Sequence, residues 1–212
     1  MNKRYNILIF GPQASGKGTQ AEMLSRSLAI PHISPGAMYR AMQKRATPLA
    51  TIITPYLDRG ELVPDKYTND MMKNRLQEND TASGFILDGY PRNTVQMEFL
   101  LETNIPIDYL IHISIPDNIV LERVAGRRIG PNGETYHLIY NPPPAHIDPA
   151  QLHVRSDETP EAIKQRLAIY HSETEPLIEA LRKRGVTVIS TDGTPPIKGV
   201  SEAIKKELGL VP

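Results

Sequence analysis

Apolar residues follow two alternating rhythms along this chain. Short, nearly unbroken runs recur at Ile7-Leu8-Ile9-Phe10, Phe85-Ile86-Leu87, over 109–115, and at Val186-Thr187-Val188-Ile189. Runs of this kind are strands buried on both faces, as in a parallel sheet. Between them, apolar positions lie three or four apart and predict helices. The first helix starts around Thr19-Gln20-Ala21-Glu22, and His32-Ile33-Ser34 reads as a short second strand that Pro35-Gly36 breaks. Helices are predicted over 37–45 and 49–58, with Pro48 starting the second, Pro55 bending it and Arg59-Gly60-Glu61 stopping it. Asp65 is the expected N-cap of a helix over 66–78, and Asn93 that of a helix over 93–102. Pro116-Asp117-Asn118 opens a helix expected to turn Leu121, Val124 and Ala125 inward. One long helix is expected over 162–184, kinked at Pro176, and a closing helix over 197–208. Strands alternating with helices define an α/β fold with a parallel sheet covered on both faces.

Two stretches interrupt the alternation. The helices within 34–63 sit between two strand signals and read as an insertion. Over 126–158, Gly130, Pro131, Gly133, Pro142, Pro143, Pro144 and Pro149 are too many breakers for core elements, with Tyr136-His137-Leu138-Ile139-Tyr140 as one β-like run. A segment of this length inside a compact domain is expected to be a lid or disordered rather than a passive loop, and its bulky Tyr, Leu and Ile argue for order, hence a lid. The core is then 1–33, 64–125 and 159–212.

Composition narrows the function. Lys plus Arg and Asp plus Glu stand at 24 each in 212 residues, so no global field draws in nucleic acid or a membrane. An anionic substrate must be held by local clusters. The absence of Cys excludes disulfides, thiolate metal sites and Cys nucleophiles. Met1 to Tyr5 lead into the first strand without an apolar leader core, and no run approaches a membrane span, so a cytoplasmic protein is expected.

The densest chemical signal is Gly11-Pro12-Gln13-Ala14-Ser15-Gly16-Lys17-Gly18-Thr19, between a strand and a helix. Gly11 and Gly16 let the backbone wrap a polyphosphate with its N–H groups inward, at the positive end of the helix dipole. Lys17 adds a full charge. Asp88, ending a buried strand, suits Mg²⁺ held through water in a phosphate-loop enzyme, although by itself it could equally cap the next turn. Arg40, Arg92, Arg123, Arg127, Arg155 and Arg166 lie on segments that would converge on the cleft, where planar guanidinium forks neutralise a migrating phosphoryl group. Taken singly, each reads as a solvated surface arginine.

The motifs resemble those of the adenylate kinases, in the nucleoside monophosphate kinase family, over essentially the whole chain. Gly16-Lys17-Gly18-Thr19-Gln20-Ala21 is similar to the family's phosphate loop and Asp88-Gly89-Tyr90-Pro91-Arg92 to its strand-end signature. Gly126-Arg127-Arg128 and Arg155-Ser156-Asp157-Glu158 resemble its lid hinges, and Asp192-Gly193-Thr194 its turn near the ATP adenine. The resemblance implies a three-layer, five-stranded parallel core of the phosphate-loop NTPase type, with a helical AMP-binding insertion and a lid of the long bacterial type. It implies that Gly11, Ala14, Ser15, Gly16, Lys17, Gly18 and Thr19, with Arg123 and Pro195, bind ATP, and that Asp88 orders Mg²⁺. It assigns the AMP site to Pro35, Arg40, Val63, Gly89, Arg92, Gln96, Arg155 and Arg166, with Val63 and Gln96 at the base. Lys17, Asp88, Arg92, Arg123, Arg127, Arg155 and Arg166 are then the catalytic set. Gln96 favours AMP over pyrimidine nucleotides, because an amide pairs with an adenine edge.

Three positions depart from the family's pattern: Ala14 replaces a frequent Gly, and Pro35 and Ala37 replace a Thr and an Asp. Pro35 offers neither hydroxyl nor N–H, so weaker AMP binding is expected. Many bacterial relatives hold zinc through four lid cysteines; none occurs here, so zinc is not expected, and His137, His146, Asp148 and His153 match no common template.

The activity implied is Mg²⁺-dependent ATP + AMP = 2 ADP, in a monomer whose partners are ATP, AMP and ADP, with neither nucleic acid nor membrane. The alternatives are a kinase for another nucleoside monophosphate, a phosphate-loop hydrolase acting as a switch, and a nucleotide-binding homologue with weakened activity. Lid closure is expected to need the phosphates of both nucleotides, because the arginines otherwise repel one another, and the family's Tyr90-Pro91 bond is expected to be cis.

Overall fold

In the computed structural model of the protein, which describes residues 4–45, 47–155 and 157–210, strands and helices alternate. Met1, Asn2, Lys3 and Ser156, part of two of the segments singled out above, lie outside the described residues. In chain order the elements are β1 (Tyr5–Phe10), α1 (Lys17–Leu28), β2 (His32–Ile33), α2 (Pro35–Lys44), α3 (Pro48–Arg59), α4 (Asp65–Leu76), β3 (Gly84–Asp88), α5 (Thr94–Glu102) and β4 (Tyr109–Ser114). Then follow α6 (Asp117–Gly126), β5 (Arg127–Ile129), β6 (Thr135–His137), α7 (Pro160–Ile169), α8 (Pro176–Lys183), β7 (Thr187–Asp192) and α9 (Ile197–Glu207).

The main sheet has five parallel strands in the order β2-β3-β1-β4-β7. Because side chains alternate across a strand, Leu8, Phe10, Phe85 and Leu87 pack against α4, α5 and α8. Ile7, Ile9, Ile86, Ile111 and Ile189 pack on the opposite side against α1 and α9. The sheet is therefore the middle of three layers, and its central strand β1 is almost wholly buried. That places the loop after β1, where ligands bind in open α/β sheets, between the carboxyl ends of β3 and β4.

Several local expectations need correction. The strand does end before Pro35, but the helix expected from 37 starts two residues earlier, with Pro35 in the first helical position of α2 and Ser34 extended before it. Proline fits there because its missing N–H would be unpaired in any case. Asp65 is the first residue of α4, after Pro64, rather than its cap. In α6 the inward residues are Val120 and Val124; Leu121 and Ala125 are exposed. The expected single helix over 162–184 is two helices joined by a π-turn, Tyr170–Thr174. The Pro176 ring would collide with the carbonyl four residues back, and the chain widens instead, with Glu175 N–H donating to Tyr170 O at 2.8 Å. Asn93 does cap α5, its Oδ1 accepting from Gln96 N at 2.9 Å.

The two interrupting stretches have their own packing. Tyr39, Ile53, Val63 and Met71 form a separate small core joining α2, α3 and α4. Over 126–158, β5 and β6 pair antiparallel, Arg127 opposite His137 and Ile129 opposite Thr135, and backbone bonds tie Ile129 to His153. Gly126 has no room for a side chain: a Cβ there would lie 2.3 Å from His137 Nε2. Among the described residues no helix is long and apolar enough to cross a membrane.

Candidate active site

The sequence after β1 cannot continue extended. Gly11 has φ 148°, and a Cβ on it would stand 2.2 Å from the Ile113 carbonyl oxygen. Gly16, at φ 97°, sets the left-handed turn that starts α1. Ala14 adopts φ 58°, which explains why glycine is favoured in such a loop: the left-handed region costs an L-residue about 1–2 kcal/mol. The loop presents Lys17 on the first turn of α1, its Nζ donating to Pro12 O at 2.7 Å. Burial pushes this ammonium down from its ordinary value to about 8; Asp88 opposes that shift, while Arg92 and Arg127 reinforce it.

Asp88 closes β3 beside the loop, 3.5 Å from where a Cβ on Gly18 would stand. Its Oδ2 lies 3.3 Å from His32 Nε2. Burial works against its charge, but the His32 bond and the charges of Lys17 and Arg92 prevail and hold the carboxyl below its usual range. The other carboxylate oxygen has no hydrogen-bonded partner among the described residues. A carboxylate oxygen that is ionised and otherwise uncommitted suits a hard, water-bearing cation such as Mg²⁺.

One cavity of about 1160 Å³ is lined by the residues assigned to the ATP and AMP sites: most of the phosphate loop, Asp88, the six arginines, Pro35, Val63, Gly89, Gln96 and Pro195. A smaller cavity of about 390 Å³ under α2 and α4 is walled by Met38, Met42 and Met71, and its Arg75 is engaged by Asp80. Arg40 comes from α2, Arg92 from the loop after β3, Arg123 from α6, Arg127 from β5, Arg155 from the loop before α7 and Arg166 from α7. Burial lowers the Arg40, Arg92 and Arg155 pKa values, Arg155 to about 10 with Arg40 and Arg127 adding to the shift.

After burial, neighbouring guanidinium groups also depress Arg40, Arg92 and Arg155, so the arginines do repel one another, and nearby carboxylates offset part of that repulsion. Glu158, with its side chain 1% exposed, pairs with Arg127 and lies 3.6 Å from Arg155. Asp157 accepts from Arg166 at 2.7 Å, and Arg166 also donates to Leu57 O at 3.0 Å. Arg92 is fixed through its backbone and its Nε: its N–H donates to Gln96 Oε1 at 2.8 Å, its Nε to Gly89 O at 2.8 Å, and its carbonyl accepts from Thr174 Oγ1 at 2.7 Å. Its terminal nitrogens, and the guanidinium of Arg40, have no hydrogen-bonded partner among the described residues.

Arg123 donates to Gly193 O at 2.8 Å and Thr194 O at 3.3 Å, and its guanidinium carbon sits 5.5 Å from the centre of the Tyr140 ring. It thus ties the turn at 193–194, next to Pro195, to an aromatic ring of the 126–158 segment. Sequence reasoning missed His32, Tyr140, Asp157, Glu158 and Thr174. Asp157 and Glu158 entered only within a hinge motif, and His32 and Thr174 carried no signal, because their partners are distant in sequence. Among the described residues, no group of three or more His, Asp or Glu side chains is placed to share a metal, so His137, His146, Asp148 and His153 do not converge. The Tyr90-Pro91 bond is cis.

Known proteins are similar in sequence over nearly the whole chain. The family model for adenylate kinase matches residues 9–186. The adenylate kinase of Methanosarcina barkeri is 41% identical over 211 residues, covering 96% of this chain and 98% of its own. That of a Thermoanaerobacter species is 41% identical over 212 residues, covering 96% and 97%, and that of Clostridium beijerinckii 39% over 212 residues, covering 96% and 98%. With its phosphate loop, strand-end aspartate and converging arginines in one cavity, the chain belongs to the adenylate kinase family.

Proposed function

We infer that the protein catalyses the reversible transfer of the terminal phosphoryl group of ATP to the phosphate of AMP, giving two ADP. The observation that carries this reading is that Lys17, Asp88 and arginines from six different segments line a single cavity opened by a phosphate loop. In the forward direction the bond between the γ-phosphorus and its bridging oxygen breaks as a bond to an AMP phosphate oxygen forms. No side-chain nucleophile is required, because alignment and charge neutralisation supply most of the rate.

On this reading Gly11, Ala14, Ser15, Gly16, Gly18 and Thr19 wrap the ATP phosphates, and Lys17 reaches the terminal ones. Arg123 and Pro195 lie beside the ATP base. Arg40 and Arg92, whose terminal guanidinium nitrogens have no hydrogen-bonded partner among the described residues, grip the AMP phosphate, and Pro35, Val63, Gly89 and Gln96 shape the pocket for the rest of AMP. Arg127, Arg155 and Arg166 exchange part of their pairing with Asp157 and Glu158 for the migrating phosphoryl group. When bound, Mg²⁺ held by Asp88 through water neutralises charge on the phosphate oxygens. The same reading has the protein acting as a monomer in the cytoplasm.

The test is a coupled assay of ADP formation from ATP and Mg²⁺, with and without AMP. ADP formed only in the presence of AMP, two per ATP consumed, is the expected result. Phosphate release independent of AMP would point to a hydrolase, and binding without turnover to a non-catalytic homologue.

A further inference from the structure

We propose that Asp65 decides which purine the acceptor site takes, by fixing the polarity of the Gln96 amide so that it matches adenine and mismatches a 6-oxopurine. The proposal rests on the reading above, in which Gln96 faces the base of the acceptor nucleotide. It goes beyond that reading by giving the choice between purines to a residue outside the cavity wall.

Gln96 is 2% exposed, lines the cavity and is held on both sides. Its Oε1 accepts from the backbone N–H of Arg92 at 2.8 Å, and its Nε2 donates to Asp65 Oδ1 at 2.8 Å. Asn93 Nδ2 donates to the same carboxylate oxygen at 3.0 Å, while Asn93 Oδ1 caps the Gln96 N–H. A backbone N–H can only donate and a carboxylate can only accept. The amide therefore fits one way round. Turning it over would set its NH₂ against the Arg92 N–H and its oxygen against the Asp65 carboxylate, losing both bonds and adding two repulsions.

Each end of the amide keeps one unused function: the second lone pair of Oε1 and the second hydrogen of Nε2. Gln96 thus offers an acceptor and a donor in a fixed order. Adenine presents an amino donor beside a ring-nitrogen acceptor; a 6-oxopurine presents a carbonyl acceptor beside an N1–H donor. With the nucleotide phosphate held at Arg40 and Arg92, the two bases occupy the same pose with donor and acceptor exchanged. The oxopurine then meets unpaired polar groups in a buried site, the situation that gives hydrogen-bonding pockets their strong rejection. The backbone N–H of Arg92 is invariant to side-chain mutation, so Asp65 is the half of the lock that can be removed. Asn at 65 would still be held with its oxygen toward Gln96 by the Asn93 NH₂, which donates to that position, so an apolar side chain is what removes this half of the lock.

The experiment measures initial rates at saturating ATP with AMP or IMP as acceptor, for wild type, Asp65→Leu and Gln96→Leu. Expected are a strong wild-type preference for AMP and a fall of about tenfold or more in the AMP:IMP ratio of kcat/KM for Asp65→Leu. That fall should come from a higher KM for AMP and a lower KM for IMP, with kcat for AMP within about threefold of wild type. A merely structural role would lower both substrates together and leave the ratio unmoved, which overturns the proposal; so does a wild-type ratio near one. Gln96→Leu separates the two levels. If it leaves the ratio intact, Gln96 does not read the base and the site assignment fails. If it collapses the ratio while folded Asp65→Leu does not, only the role of Asp65 fails. Should Asp65→Leu not fold, Asp65→Ala carries the same comparison, and loss of folding in both assigns Asp65 to stability and refutes the proposal.

Discussion

The ammonium of Lys17 is the group whose titration the structure makes most accessible to measurement. Burial brings its pKa from the ordinary 10.5 to about 8. That interval corresponds to about 3 kcal/mol between charged and neutral forms. Folding favours the neutral amine, so the unfolded chain binds more protons between pH 8 and 10.5, and the Lys17 contribution to stability improves as pH rises through that window. Nucleotide binding acts in the opposite sense. Phosphate oxygens favour the ammonium and raise its pKa, so affinity is fullest below pH 8 and falls up to tenfold per pH unit above it, until the bound-state value is reached. At pH 8 about half a proton should be taken up per ATP bound. Calorimetric titration with an unreactive ATP analogue at pH 8, in two buffers of different ionisation enthalpy, reads that uptake directly. At this pH the nucleotide phosphates are already ionised. Lys17→Met must abolish the uptake and most of the turnover while leaving a folded protein. No uptake by wild type, or equal uptake by Lys17→Met, would refute the reasoning.

Glu158→Gln should destabilise the free protein by about 3–5 kcal/mol, because Arg127 and Arg155 lose a buried partner. Thermal unfolding would fall by roughly 6–20 °C, and a ligand joining two adenosines through five phosphates should narrow the gap; an unchanged Tm contradicts the pairing. Thr174→Val removes the hydroxyl that holds the Arg92 carbonyl and should lower kcat/KM for AMP by about two- to tenfold, with Thr174→Ser close to wild type. Equal activity of all three proteins would show that Arg92 does not need this support. Arg127→Ala should reduce kcat by about 10³-fold or more if the side chain neutralises the migrating group, whereas an effect confined to KM marks a ground-state contact.

Much of this protein is legible in its sequence because the determining interactions are local. The apolar runs specify buried strands by themselves, since no side of β1 or β3 can face water. Gly11 and Gly16 announce a loop that requires unusual backbone angles, and Asn93, three residues before the N–H it caps, announces the start of α5. The residue motifs named the family on the same local basis. Where a local rule was applied one step too far, packing overrode it. Pro35 breaks a strand and also starts a helix, and only the extended Ser34 before it shows which role applies. The period of α6 admits Leu121 or Val120 as its inward side, and the position of Ile163 and Leu167 on α7 chooses Val120.

Only the tertiary structure could decide the electrostatics of the cavity, because charge interactions depend on distances between residues far apart in the chain. An arginine in a sequence carries no sign of its partner. Arg127 is 31 residues from Glu158, and Arg92 is 82 residues from the Thr174 hydroxyl that holds its carbonyl. The pKa of Lys17 follows from burial and from Asp88, Arg92 and Arg127, none of which is its neighbour in sequence. The same holds for Asp65, which the sequence offers as a helix cap and the fold places against Gln96. Local periodicity and backbone chemistry determine the elements and the phosphate loop; the closing of the sheet and its insertions determines which charges meet, and therefore what the loop can do.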